Sequence, residues 1–341
     1  MGESRIEIRR VQMTGGSSYI ITLPKEWVKT VNIRKNDPIG LLQQPDGTLL
    51  VTPKMDKEQT KRSIQFKVEN GAKQSFLFRK LIGAYIAGFN AITIESKPRI
   101  QPKTRSTIRR FIQTTIGQEV VEETDTTITV KDLLNPSEMP FHRTIKRMHI
   151  IVKGMYEDTT TALKTQDKHL AEDVIKRDGE IDRLHWLVAR QHRIIQQNVN
   201  FVEKMGITVD TATTSYLISR ILERIGDHVN RIAEYVILLL NNEIDDIIVK
   251  KVEYGNGKSL TLLNKSIGAF TKKEIKEANE TIELSEELEN LCEDIDKLAL
   301  KQDAAVAISL GYIVESIRRI GEYAEDISET VINHLIGREK I

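Results

Sequence analysis

The chain of 341 residues has a single cysteine, Cys292. One thiol excludes an intramolecular disulfide and any zinc site built from several cysteines, and a chain without disulfides suits a reducing, cytoplasmic compartment. No apolar run approaches the roughly 20 residues that span a bilayer. The longest, Ile232–Leu240, is interrupted by Glu234, so no membrane insertion is expected. The opening residues, MGESRIEIRR, lack the apolar core of a secretory signal. Proline (8) and glycine (19) are sparse, which favours a mostly helical chain. There is no P-loop, no G-x-G-x-x-G after a strand, no H-E-x-x-H and no G-x-S-x-G, so the expectation is a protein that is not an enzyme. Cys292 lies in an acidic helical stretch, which predicts a raised thiol pKa and a poor nucleophile.

Hydrophobic residues make up 40% and charged residues 29%, so a packed core is affordable and wholesale disorder is excluded. The net charge of +1 hides an asymmetry. Residues 1–132 carry 22 Lys and Arg against 14 Asp and Glu, and the remainder carries 28 against 35. A basic front predicts an acidic partner such as nucleic acid, and an acidic back predicts cations or basic surfaces.

Three textures follow one another. Residues 1–54 read as short strands and turns. Arg5–Val11 and Ser18–Leu23 are strand-like, Pro24 opens a short helix at its first position, and Ile39–Gln43 and Thr48–Thr52 flank the hairpin signal Pro45-Asp46-Gly47. So thin a unit predicts obligate dimerisation. Residues 60–133 read as β-α-β-α-β-β, a small α/β sandwich with helices over Ala72–Gly88 and Thr104–Ile116. Its stretch Lys97, Arg99, Lys103, Arg105, Arg109 and Arg110 holds no acid; a solvated helix face explains it more simply than an anion-binding patch. From residue 140 to 341 the pattern is helical. Ile218, Ile221, Ile225, Val229, Ile232 and Val236 form one apolar stripe, and loops fall near Thr165–Asp167, Lys204–Asp210 and Lys301–Asp303.

The helical part repeats itself. Glu223-Arg-Ile-Gly-Asp-His-Val-Asn-Arg-Ile-Ala-Glu234 aligns with Arg318-Arg-Ile-Gly-Glu-Tyr-Ala-Glu-Asp-Ile-Ser-Glu329, and residues 171–184 align with 278–291. Two copies of a three-helix unit follow. Glu223 and Asp227 are four residues apart on one helix face, with Glu234 further along; Asp178 and Asp182 share that spacing, with His185 next in the row. Facing carboxylate rows in a bundle suit a hard or borderline cation. Solvated acids paired with Arg220, Arg224 and Arg231 are the plainer reading of the spacing. Gly226 and Gly321 recur mid-helix at equivalent positions, which predicts close helix packing, and His228 reads as a surface residue.

Two families resemble this chain at these motifs. Ser18-Tyr-Ile-Ile-Thr-Leu-Pro-Lys-Glu-Trp-Val28, with Asn32–Asp37 and Asp46-Gly47, resembles the SpoVT/AbrB/MazE swapped-hairpin DNA-binding domain. That resemblance implies an interlaced homodimer gripping DNA through Arg9, Arg10, Lys25, Arg34 and Lys35. Asn36 stands where many members have Gly, and Asn tolerates the left-handed conformation that the turn needs. The string from Glu223 to Glu234 resembles the E/D-x-x-x-D signature of PhoU. That implies regulation of phosphate uptake with a transporter and a sensor system, and a divalent or iron-type metal ion at Asp178, Asp182, Glu223 and Asp227. The second repeat departs from the signature, with Arg318 replacing the leading acid, Glu322 replacing Asp and Ser285 replacing the counterpart of Asp178, so that Arg318 is expected to neutralise Glu289 or Glu322. The fusion resembles archaeal phosphate-uptake regulators.

The expectation is therefore a multidomain protein: a small β-rich swapped-hairpin domain (1–54), a small α/β domain of unassigned role (60–133) and tandem PhoU-like three-helix bundles (140–341). The expected function is a cytoplasmic, dimeric, DNA-binding transcriptional regulator of phosphate homeostasis. The alternative is a dimeric adaptor that does not bind DNA and docks on a phosphate transporter or its ATPase subunit.

Overall fold

The computed structural model describes residues 7–43, 47–53, 62–69, 71–135, 138–197, 201–202, 205–240 and 242–338. The chain divides into two compact units, Met1–Thr60 and Lys61–Ile341.

The first unit is two short hairpins flanking one helical turn and a half. β1 (Gln12–Thr14) and β2 (Ser18–Ile20) pair antiparallel across Gly15 and Gly16, both at positive φ. α1 (Lys25–Thr30) starts after Pro24, which caps the helix rather than opening it. β3 (Gly40–Gln43) and β4 (Leu49–Thr52) pair antiparallel; Pro45 and Asp46 of the expected turn lie outside the described residues, while Gly47 has φ 82°. The first strand falls further along than Arg5–Val11: Arg5 and Ile6 lie outside the described residues, Glu7–Val11 carries no ladder, and the polar Gln12–Thr14 pairs instead because the Gly15-Gly16 turn fixes the register. The second strand stops at Ile20, short of Leu23. Asn36 has φ 70°, the left-handed turn expected of it, and Asp37 accepts a 2.6 Å hydrogen bond from the Arg34 backbone amide. Among the described residues, none of this unit is buried.

The second unit begins with a four-stranded sheet of order β5-β6-β8-β7, made of β5 (Ser63–Lys67), β6 (Ala91–Glu95), β7 (Gln118–Glu123) and β8 (Thr127–Asp132). β5 and β6 are parallel and the other pairs antiparallel. α2 (Gln74–Ile86) and α3 (Pro102–Thr114) cover one face, since both connections must cross over with the same hand. Leu77, Leu81 and Tyr85 of α2 and Ile108 and Phe111 of α3 bury against Ile92, Ile94, Ile128 and Val130. Gly88 and Gly117 end these helices at φ 86° and 85°.

Among the described residues seven unbroken helices follow. α4 (Phe141–Thr165), α5 (Lys168–Gln197) and α6 (Val209–Leu239) form one bundle; α7 (Asp246–Lys272), α8 (Ile275–Glu283), α9 (Ser285–Ala299) and α10 (Ala304–Ile336) form the other. One apolar core runs through both. Two turns lie outside the loops that the sequence pattern predicts, one after α6 and one between α7 and α8, where Lys273 takes φ 61°. The repeat is visible in atomic packing. A Cβ on Gly226 would lie 2.7 Å from Ile181 Cδ1, and one on Gly321 would lie 2.4 Å from Leu288 Cδ2. Ile181 and Leu288 are themselves equivalent in the repeat, so each bundle brings its two long helices together over a glycine. The α5 counterpart is broken into α8 and α9 at Leu284-Ser285.

Candidate functional site

The acids of the first repeat meet across α5 and α6. The four-residue spacing puts Asp178 and Asp182 on one side of α5, and Glu223 and Asp227 on the facing side of α6, and the Gly226–Ile181 approach holds the two rows together. Burial first, and then Asp182, Asp227 and Glu234, push Asp178 up to about 6. Burial followed by Asp227 and Asp182 pushes Glu223 up to about 7, against the pull of Arg224 and Arg220. Asp182 and Asp227 are also raised, chiefly by burial. Like charges close together in a half-dry groove resist being ionised at once. Among the described residues none of the four forms an ion pair; Asp178 accepts one long hydrogen bond, 3.5 Å, from Asn230 Nδ2. Arg220, Arg224 and Arg231 therefore temper the cluster without closing on it, contrary to the plain reading of solvated, Arg-paired acids. The four carboxylates do not converge into a ready ligand set either: among the described residues no three His, Cys, Asp or Glu lie close enough to hold a metal ion. The donor chemistry, four carboxyl groups without an ion pair, three of them half-buried, suits a hard cation; the side chains would have to close on it.

The second repeat has the opposite electrostatics. Arg318, at the position of Glu223, pairs with Glu289 (3.1 Å), Asp296 (2.7 Å) and Glu315 (2.6 Å). Glu322 is held by Arg319 at 2.6 Å rather than by Arg318. Ser285, in place of Asp178, turns its hydroxyl back to the Ile282 carbonyl. The repeat is filled by its own guanidinium. Cys292 is buried beside it, and burial more than the neighbouring acids pushes its thiol up to about 12.

Histidines near the acidic rows are packing elements. His185 Nδ1 lies 3.1 Å from Ser219 Oγ, its ring stacks on Tyr216, and Tyr216 stacks on His192 at 4.8 Å. Burial pulls His185 down to about 4. His228 is not a surface residue. It is half-buried between the repeats against Tyr323, with centroids 5.7 Å apart, and burial holds it near 4.

The five cations expected on DNA are all exposed. Arg9 and Arg10 precede β1, Lys25 opens α1, and Arg34 and Lys35 lie in the turn after it. Arg9 pairs with Glu7. Around them Met13, Tyr19, Ile21, Leu41 and Leu49 are uncovered.

Periodicity did not reveal Arg190. It is buried in α5, donates to the carbonyls of Tyr85 and Phe89 and pairs with Asp132 at 2.6 Å. This clamp fixes the sheet domain to the first bundle. Its signal in the sequence is its place directly after the mostly apolar stretch Leu184–Ala189.

The class this defines is a tandem three-helix-bundle protein with an acidic groove in one repeat and a guanidinium in the other, preceded by a small paired-hairpin module. Residues 145–236 and 257–331 match the PhoU domain, and residues 12–59 match the antidote-toxin recognition domain MazE, a bacterial antitoxin. The chain is thus a PhoU-domain protein carrying its tandem repeat behind a MazE-type module. It is 25% identical over 213 residues to the phosphate-specific transport system accessory protein PhoU homolog of Clostridium acetobutylicum, covering 58% of this chain and 92% of that one. Homolog 1 of Thermotoga maritima is 22% identical over 202 residues, covering 55% and 82%. The crystal structure of PhoU from Pseudomonas aeruginosa superposes with a TM-score of 0.53 at 18% identity, over 58% of this chain and 96% of that one. The PhoU of Streptococcus pneumoniae gives 0.51 at 18%, over 59% and 96%. Both share the fold of the helical part. Among the described residues no helix is long and apolar enough to cross a membrane.

Proposed function

We propose that this protein is a cytoplasmic, dimeric DNA-binding regulator of phosphate uptake, in which the PhoU bundles carry the sensing surface. One observation carries the reading: a MazE-type module with five exposed cations is joined in one chain to a PhoU tandem repeat. The relatives named above are accessory proteins of phosphate-specific transport, which directs the regulatory output to that transport. The module has no buried residue of its own among those described, and its uncovered Tyr19, Leu41 and Leu49 favour a second copy as the missing half of its core. The bundles would read phosphate status through a transporter subunit or a sensor protein.

Asp178, Asp182, Glu223 and Asp227 are the residues that would hold a divalent or iron-type cation. Its charge would relieve their mutual repulsion and lock α5 against α6. Binding would release protons from Glu223 and Asp178, so affinity would fall as the pH drops through about 7 and further through about 6. Metal content of protein purified without chelator, compared with Glu223→Gln, tests this site; equal content in both removes it.

The DNA-binding reading is tested by anisotropy with the full chain and its own upstream phosphate-transport promoter fragment. Arg10→Gln/Lys25→Gln/Arg34→Gln should abolish binding and regulation together. Regulation that survives in this variant favours the transporter-docking adaptor instead.

A further inference from the structure

Between Asn70 and Gln118 the chain carries nine cations, Lys73, Arg79, Lys80, Lys97, Arg99, Lys103, Arg105, Arg109 and Arg110, against one anion, Glu95. The structure gathers most of them on α2 and α3. These helices lie side by side on the sheet, linked by a 2.9 Å hydrogen bond from Thr107 to Gln74, and neither contains an acid. Lys97 is drawn to Glu95, and Arg105 is spent on Glu123. The other seven make no ion pair among the described residues. All but the half-buried Lys80 are exposed.

Two of the seven are positioned without being neutralised. The Lys80 ammonium stands 4.4 Å from the centre of the Phe66 ring and 5.6 Å from that of Phe76. The Arg110 guanidinium lies 4.6 Å over Phe78, whose other neighbour is Trp186. A ring face aims a cation and leaves its full charge to a partner. Four cations of the second bundle are neutralised instead: Arg318, Arg319, Lys258 and Lys297 each pair with a carboxylate. The simple expectation for this stretch, a solvated helix face, accounts for the exposure of these cations but not for the ring beneath Arg110.

We propose that the outer face of α2 and α3 is a second contact surface for the phosphate backbone of double-stranded DNA; this rests on the reading of the chain as a DNA-binding regulator. Four of the seven cations are arginines, whose planar forks suit phosphate oxygens. Phe76 is the only large apolar side chain exposed on the two helices, so the face lacks the apolar stripe that seats a helix in a membrane. Only residues 53–62 separate β4 from β5, so two DNA-contacting modules on this chain would act as one bivalent ligand. The surface reads no sequence: it adds charge, affinity and salt dependence to whatever the first unit specifies.

The experiment uses the full chain and a fluorescein-labelled random-sequence duplex, with anisotropy measured between 50 and 200 mM KCl. In Arg79→Gln/Lys103→Gln/Arg109→Gln three phosphate contacts are removed. The slope of log affinity against log salt should fall by about 2.7 per protomer engaged, so the variant loses about 40-fold less affinity than the parent over that range. Arg79→Lys/Arg109→Lys keeps the charge and should keep the slope. Unfolding temperatures should match, because these side chains make no pairing contact. An unchanged slope in the glutamine variant, with binding abolished by Arg10→Gln/Lys25→Gln/Arg34→Gln, overturns this surface and leaves the regulator standing. Failure of the parent to bind the duplex at 50 mM overturns both. Loss of binding to phosphatidylcholine–phosphatidylserine vesicles by the glutamine variant, with duplex binding intact, makes the face a membrane surface and also overturns the proposal.

Discussion

Removing a charge from the acidic groove should make the metal-free protein more stable. Glu223 is the best position, because it makes no hydrogen bond or ion pair among the described residues and its carboxyl is pushed up from the usual 4.5 to about 7. A carboxyl raised in the folded state binds a proton more tightly there than in the unfolded chain. Its stabilising contribution is therefore complete below about pH 4.5 and is lost as the pH rises through about 7. At full strength a rise of that size costs the ionised folded protein about 3 kcal/mol at pH 8. Glu223 is only half-buried, and solvent screening reduces the figure to roughly 1.5 kcal/mol. Glu223→Gln carries no such cost. In calorimetry with EDTA, the bundle transition of Glu223→Gln should lie about 3–6 °C above the parent at pH 8. At pH 5 the two should come within about 1 °C, where the parent keeps its proton. Saturating Mn²⁺ should reverse the order at pH 8 by stabilising the parent alone. A variant less stable than the parent in EDTA at pH 8, or an equal difference at both pH values, would refute the electrostatic reading of the groove.

Other consequences follow from packing and pairing. Gly226→Ala should destabilise by about 1 kcal/mol, the clash with Ile181 outweighing the gain in helix propensity, and Gly226→Ala/Ile181→Val should recover most of it in a double-mutant cycle by thermal unfolding. Arg190→Met leaves Asp132 buried without its partner and should cost about 3–5 kcal/mol, seen as early proteolysis between the sheet domain and the first bundle. Tyr19→Lys/Leu49→Lys should convert a dimer to a monomer in light scattering with the bundle transition unmoved, since both side chains are uncovered within one chain.

The helical half was legible because its apolar stripes and its repeat are strictly local patterns. The alignment that equated residue 181 with 288 and 226 with 321 reappears as two matching glycine contacts. Sequence spacing placed the acids in two rows, but it could not show that arginines one turn away stay out of ion-pair range while Arg318 closes on three acids at once. Those outcomes depend on the tilt of α5 against α6 and on side-chain reach. The Arg190 clamp joins residues far apart in the chain and leaves no periodic trace. The first strand shifted because alternation in Arg5–Val11 is weak, whereas the Gly15-Gly16 turn dictates which residues face each other. The cations of α2 and α3 were readable as a run, but their freedom from acids became visible only once the sheet had placed Glu95 and Glu123 on Lys97 and Arg105.

The central claim, a DNA-binding regulator that responds to phosphate, is tested most directly by genome-wide occupancy of the full-length protein in cells grown with ample and with scarce phosphate. Occupancy at phosphate-transport promoters that changes with phosphate supply, and that disappears in Arg10→Gln/Lys25→Gln/Arg34→Gln, is the predicted result. Absence of promoter enrichment under both conditions, with phosphate uptake still dependent on the protein, would contradict it.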